Sequence, residues 1–148
     1  MALKEQLQED VKTALRAGLK QQVQTLRMLL AAIQQHEVDS RTDISESDAL
    51  RIVEKLVKQR RESAEQYTNA KRPELAEKEL QEADMLRAYL PEPLDDETLE
   101  QLIIDTLAET GASSPKDMGK VMNALRAKVQ GRADMAQVSQ LVKTRLLG

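Results

Sequence analysis

Apolar residues recur at steps of three and four along almost the whole chain, and the positions between them are filled largely by Ala, Gln, Glu, Lys and Arg. Both features predict amphipathic α-helices, and no stretch shows the strict alternation of a half-buried strand. Leu3, Leu7, Val11 and Leu15 draw the stripe of a first helix over about 3–17, with Gly18 placed to end it in the left-handed conformation. Val23, Leu26, Leu30 and Ile33 do the same for a second helix over about 20–37, and polar Asp39–Asp43 reads as a loop. A third helix starts after Ser45 as N-cap, with Asp48 three residues on as box partner and Ile44 facing Ala49 as a staple. Ile52, Leu56, Ala64 and Tyr67 carry it to about residue 70. Pro73 suits the first turn of a fourth, whose stripe is Ala76, Leu80, Ala83, Leu86 and Leu90.

Leu90-Pro91-Glu92-Pro93 is the one stiff, extended stretch, and it marks a domain boundary: an N-terminal helical domain over 1–90 and a C-terminal domain over 94–148. Three shorter helices follow. Asp95 caps the first, which turns Leu99, Leu102, Ile103 and Leu107 inward and ends at Gly111. Ser114-Pro115-Lys116-Asp117 is a capping box with Pro at the first helical position, and Met118, Met122, Leu125 and Val129 follow it up to a turn at Gly131. Asp134 with Gln137 opens the last helix, which buries Val138, Leu141 and Val142. The predicted fold is all-α, a four-helix unit followed by a small three-helix unit.

Composition narrows the chemistry. Among 148 residues there are no Cys, one His, two Tyr, and no Phe or Trp. Thiolate nucleophiles and Cys-ligated metals are excluded, a multi-histidine metal site is impossible, and stacking platforms for unpaired bases are essentially absent. The longest apolar run, Met28–Ile33, is six residues, far short of the roughly 20 that span a membrane. With no segment resembling an export or organelle signal, a cytoplasmic protein is expected, with no membrane, metal or cofactor partner.

Local chemistry is sparse. Ser113 and Ser114 near Lys116 invite a serine-nucleophile reading, but capping accounts for Ser114 and helix termination for Gly111. His36 has no nucleophile placed beside it and falls in a last helical turn, where the dipole favours positive charge. Asp95-Asp96-Glu97 belongs to a first turn, where negative charge is favoured. Two charge patterns carry more. Arg51, Lys55, Lys58 and Arg61 form a strip along one side of the third helix, either solvated or able to meet phosphate or a protein partner. Residues 95–109 carry net −6, and 110–148 net +5 through Lys116, Lys120, Arg126, Lys128, Arg132, Lys143 and Arg145. A basic face on the last two helices would suit a phosphate backbone; alternatively the acidic helix neutralises its neighbours. Gly119, inside a helix, costs about 1 kcal/mol relative to Ala, which suggests close approach of another backbone from a packed helix or from RNA.

Several stretches resemble the YqeY family: Ile33–Glu37, Val57-Lys58-Gln59-Arg60-Arg61, Tyr89-Leu90-Pro91 leading into Leu94, Lys116-Asp117-Met118-Gly119-Lys120-Val121-Met122, and the turn Gly131-Arg132-Ala133-Asp134. Met135 stands where many members have Gly, which alters only how the last helix begins. YqeY proteins are similar to the C-terminal tail of the B subunit of glutamine-dependent aspartyl/glutamyl-tRNA amidotransferase. That resemblance implies a helical unit followed by a three-helix unit, and association with a carbon–nitrogen ligase that uses glutamine nitrogen. It also implies that the tail helps hold the tRNA body. The positions matching the tail motif are Gly119, Val121, Met122, Gly131, Arg132 and Ala133, with Val138 and Leu141; of these only Arg132, with Lys120 beside the motif, is a natural phosphate contact. The chain has no phosphate-cradling Gly-rich loop and no metal-ligand cluster, so it is not expected to catalyse amidation alone. The expectation is a tRNA-associated accessory module contacting backbone through Lys116, Lys120, Lys128, Arg132, Lys143 and Arg145. The alternative is an adaptor for a translation-related protein, with no RNA binding.

Overall fold

The computed structural model describes residues 2–147, and these contain α-helix, one short 3-10 turn and no strand. The helices are α1 (Ala2–Arg16), α2 (Lys20–Ser40), α3 (Glu46–Asn69), α4 (Pro73–Arg87), α5 (Asp96–Thr110), α6 (Met118–Val129) and α7 (Met135–Leu147), with the 3-10 turn at Pro115–Asp117. Two compact units divide between Leu90 and Pro91.

In the first unit α3 and α4 form the most extensive helix pair, while α1 packs on α2 and α2 reaches both α3 and α4. Leu7, Val11, Leu26, Leu29, Ile33, Ile44, Ala49, Val53, Val57, Ala83 and Leu86 make its core. The staple of Ile44 and Ala49 is buried, and Ser45 accepts the Asp48 N–H at 3.1 Å. Two expected core leucines lie outside. Leu15 is 50% exposed and Ala14 takes its place; Leu80 is 45% exposed. For Leu15 the reason is angular: steps of four advance 400° around a helix, so a stripe built only of such steps drifts off the buried face within three turns. Helix α2 also runs beyond the expected end to Ser40, whose hydroxyl donates to the His36 carbonyl at 2.8 Å, and Arg41 closes it at φ +56°. Asp39 is thus helical rather than loop.

Polar ties finish this unit. Lys4 pairs with Glu37 at 2.6 Å, and the other Glu37 oxygen accepts the Ile44 N–H at 3.0 Å. These contacts raise the Lys4 pKa and lower that of Glu37. The Tyr89 hydroxyl donates to Asp10 across the whole length of the unit's sequence. Burial, with the Asp10 bond adding to it, pushes the phenol well above its ordinary 10.0.

In the second unit α6 packs on both α5 and α7, and the 3-10 turn touches α6 and α7. Leu99, Ile103, Val121, Leu125, Val129, Val138, Val142 and Leu146 form its core. Asp95 caps α5 by accepting the Thr98 N–H at 2.7 Å, and Gly111 ends it at φ +67°. The segment after Ser114 differs from expectation: its first turn is 3-10, and α-helix begins only at Met118. Asp117 accepts the backbone N–H of Ser113 at 2.9 Å and of Ser114 at 3.3 Å, which lowers its pKa, with Lys120 nearby assisting.

Candidate functional site

Three of the seven cations between Lys116 and Arg145 are committed to other segments of the second unit. Lys128 Nζ donates to Glu109 Oε2 at 2.9 Å and to Thr106 Oγ1 at 3.1 Å, tying α6 to α5. Arg145 reaches Glu100 with Nε at 2.8 Å and with a second guanidinium nitrogen, tying α7 to α5. Arg132 Nε donates to the Glu92 carbonyl at 3.1 Å, and the Arg132 carbonyl accepts the Leu94 N–H at 2.8 Å. The turn at Gly131, φ +74°, supports this double clasp on the segment entering the unit. Arg126 makes only a long contact to Asn123, at 3.4 Å on its own helix. The acidic helix therefore neutralises part of the basic face, as one of the two sequence readings had it.

What stays on the surface is narrower. Lys116, Lys120 and Lys143 are exposed, and none of them has a side-chain hydrogen bond or ion pair among the described residues. Lys116 belongs to the 3-10 turn and Lys143 to α7, which pack on each other, while Lys120 lies in the first turn of α6. Gly119 lies beside Lys120, in the first turn of α6 rather than mid-helix, and a Cβ built there would meet nothing within 4 Å. The packed-helix explanation for this glycine therefore fails: among the described residues no packed neighbour comes within 4 Å of that position. In the turn that follows, Ala133 is half-buried against the core, and Asp134 caps α7 by accepting the Ala136 N–H at 3.0 Å.

In the first unit the cationic strip lies on the surface as spaced. Arg51, Lys55, Lys58 and Arg61 are all exposed, with Arg51 3.7 Å from Asp48. The neighbouring Arg60, not singled out from the sequence, is half-buried: its Nε lies 3.1 Å from Glu82 and 3.7 Å from Glu79 on α4, and it also contacts the Met28 sulfur on α2. A signal for it existed, since Val53, Val57, Arg60 and Ala64 are spaced four, three and four and so share the buried face. Thr106, equally unmarked in the sequence, is fully buried and bonds the Leu102 carbonyl at 2.7 Å.

Nothing in this arrangement resembles an activated nucleophile. Ser113 and Ser114 are engaged through their backbone by Asp117, and His36 stands 3.8 Å from Asp48 while the Ser40 hydroxyl is given to the His36 backbone carbonyl. Among the described residues no group of three or more His, Asp or Glu is placed to hold a metal ion, and no helix is long and apolar enough to cross a membrane.

Comparison with known proteins adds relatives to this geometry. The curated protein "Altered inheritance of mitochondria protein 41, mitochondrial" of Pyrenophora tritici-repentis is 29% identical over 93% of this chain and 77% of its own length. The protein of the same name from Clavispora lusitaniae is 34% identical over 68% of this chain and 61% of its own. That from Lachancea thermotolerans is 28% identical over 89% and 74%. The chain thus spans between about three fifths and three quarters of these relatives. All three are named as mitochondrial proteins, which overturns the cytoplasmic expectation. That expectation rested on an absent signal, and an absent signal does not locate a protein. The family model described as "Yqey-like protein" matches residues 4–146, and the chain belongs to the YqeY family.

Proposed function

We propose that this chain is a non-catalytic accessory module of tRNA amidation, and that its second unit holds the tRNA backbone through Lys116, Lys120 and Lys143. The module consists of a four-helix domain over 1–90 and a three-helix domain over 94–148, joined by Leu90-Pro91-Glu92-Pro93. The observation that carries the reading is the surface at the start of α6, where Lys116 and Lys120 flank a glycine that leaves open space beside the backbone. Phosphate contacts of this kind position a nucleic acid without reading bases. Family membership supports it through the resemblance of YqeY proteins to the amidotransferase tail. Lys128, Arg132 and Arg145 serve folding in this reading and leave the contact to the unpaired lysines.

Titration of the full chain into labelled bulk tRNA, with single-stranded DNA as control, tests the proposal. Binding should be tighter to tRNA and fall with salt, with a log–log slope of about −2 to −3 for two or three neutralised phosphates. K116E/K120E should weaken it about tenfold, whereas Arg145→Ala should lower stability and leave affinity in place. Absence of binding at low salt, or equal binding by K116E/K120E, overturns the reading and leaves the adaptor role.

A further inference from the structure

The cationic strip of α3 has no part in that reading, and it belongs to the other unit. Ala49, Val53, Val57 and Ala64 of α3 are buried, and Arg60 is spent on α4. Arg51, Lys55, Lys58 and Arg61 are among the side chains that this helix leaves to solvent. At one end the strip opens into a groove between α2 and α3, lined by His36, Asp48, Arg51, Ile52 and Lys55. Ile52 is half-buried there and adds an apolar surface. The one carboxylate in the groove, Asp48, stands 3.7 Å from Arg51 and 3.8 Å from His36, beyond hydrogen-bond length to either. The His36 Nδ1 is buried with no hydrogen-bond partner among the described residues. An acid already stands at this place, but it closes on neither side chain.

The strip's length decides what fits. From Arg51 to Arg61 is three helical turns, about 15 Å, too long for one phosphate or one carboxylate. Its four, three, three spacing is that of one face of a helix, so a second helix laid alongside would present acids in step. Glu62 and Glu65, both exposed, follow the strip and set where an acidic partner must stop. We propose that this face docks an acidic, amphipathic helix of a partner protein, its carboxylates meeting Arg51, Lys55, Lys58 and Arg61 and an apolar side chain covering Ile52. The site does not depend on the RNA reading.

The probe is a fluorescein-labelled synthetic helical peptide of about 18 residues, five turns, with Glu at three- and four-residue steps on one face and Leu beside them. Anisotropy titrations with the full chain should show binding that weakens with salt. R51E/K55E should weaken it at least tenfold, R51A/K55A less, and K116E/K120E not at all, with circular dichroism unchanged since all of these side chains are exposed. A Gln-for-Glu version of the peptide should bind at least tenfold more weakly. No binding up to about 100 μM, equal binding by R51E/K55E, or displacement of the peptide by an oligoribonucleotide at this strip would overturn the proposal, the last in favour of RNA.

Discussion

Asp95 and Asp117 act alike at two starts of helical structure, and their titration follows from that. Asp95 is held below its ordinary 3.8 by Thr98, through a side-chain hydrogen bond and its backbone N–H; Asp117 by the N–H groups of Ser113 and Ser114. In both cases the ionised form is the one that accepts, so folding is favoured while the carboxylate is charged. That contribution is fully present above the unfolded value and is lost as pH falls through the lower folded one. Urea denaturation of the wild type should therefore lose stability as pH drops below about 4. Asp95→Asn, which keeps an acceptor and removes the charge, should show a shallower loss; an identical pH profile would remove the cap from the account.

At the scale of elements, two glycines with different surroundings make opposed predictions. Gly111 closes α5 at φ +67°, so Gly111→Ala should cost about 1 kcal/mol in chemical denaturation. Gly119 has open space where a Cβ would go, so Gly119→Ala should be neutral or stabilise by up to about 1 kcal/mol. If RNA comes close there, the same substitution should still weaken tRNA binding, a separation that a purely structural glycine would not give. The helices themselves were legible, because each has a periodic stripe bounded by a cap, a proline or a glycine: Ser45, Pro73, Asp95 and Gly111 all stand at the ends assigned to them. The pairing of charges was not, because side chains such as Lys128 and Glu109 are 19 residues apart and meet only when α5 and α6 pack. For the same reason the seven cations, which the sequence left open as one basic face or a neutralised one, prove to be three lysines without ion pairs among the described residues, three side chains tied to α5 or the chain before it, and Arg126, which contacts only its own helix. Leu15 failed for a simpler cause, a stripe extended one step too far in increments of four.

For the whole molecule, charge is nearly balanced in each unit: 16 acids to 15 bases over 1–90, and nine to seven over 91–148. Neither unit carries net positive charge to draw in a polyanion, so the proposed contacts rest on local groups, the lysines of the second unit and the strip on α3. The clasp of Arg132 has a role at this scale, since it orders the segment after the boundary at Leu90 through Glu92 and Leu94. Arg132→Ala removes the Glu92 half of the clasp. Hydrogen exchange of the Leu94 amide should then accelerate by about tenfold, a loss of about 1.4 kcal/mol of local protection, while tRNA affinity stays unchanged. Unaltered exchange would mean that the Arg132 carbonyl alone holds the segment.

The bond from Tyr89 to Asp10 has a practical consequence. Tyr67 and Tyr89 are the chain's full complement of aromatic rings apart from His36, and both precede the boundary at Leu90. Near-ultraviolet absorbance, tyrosine emission and near-ultraviolet dichroism therefore watch the first unit alone, with the Tyr89 phenol as an internal gauge that responds when α1 parts from the end of that unit. The second unit melts in optical silence, visible only through its backbone.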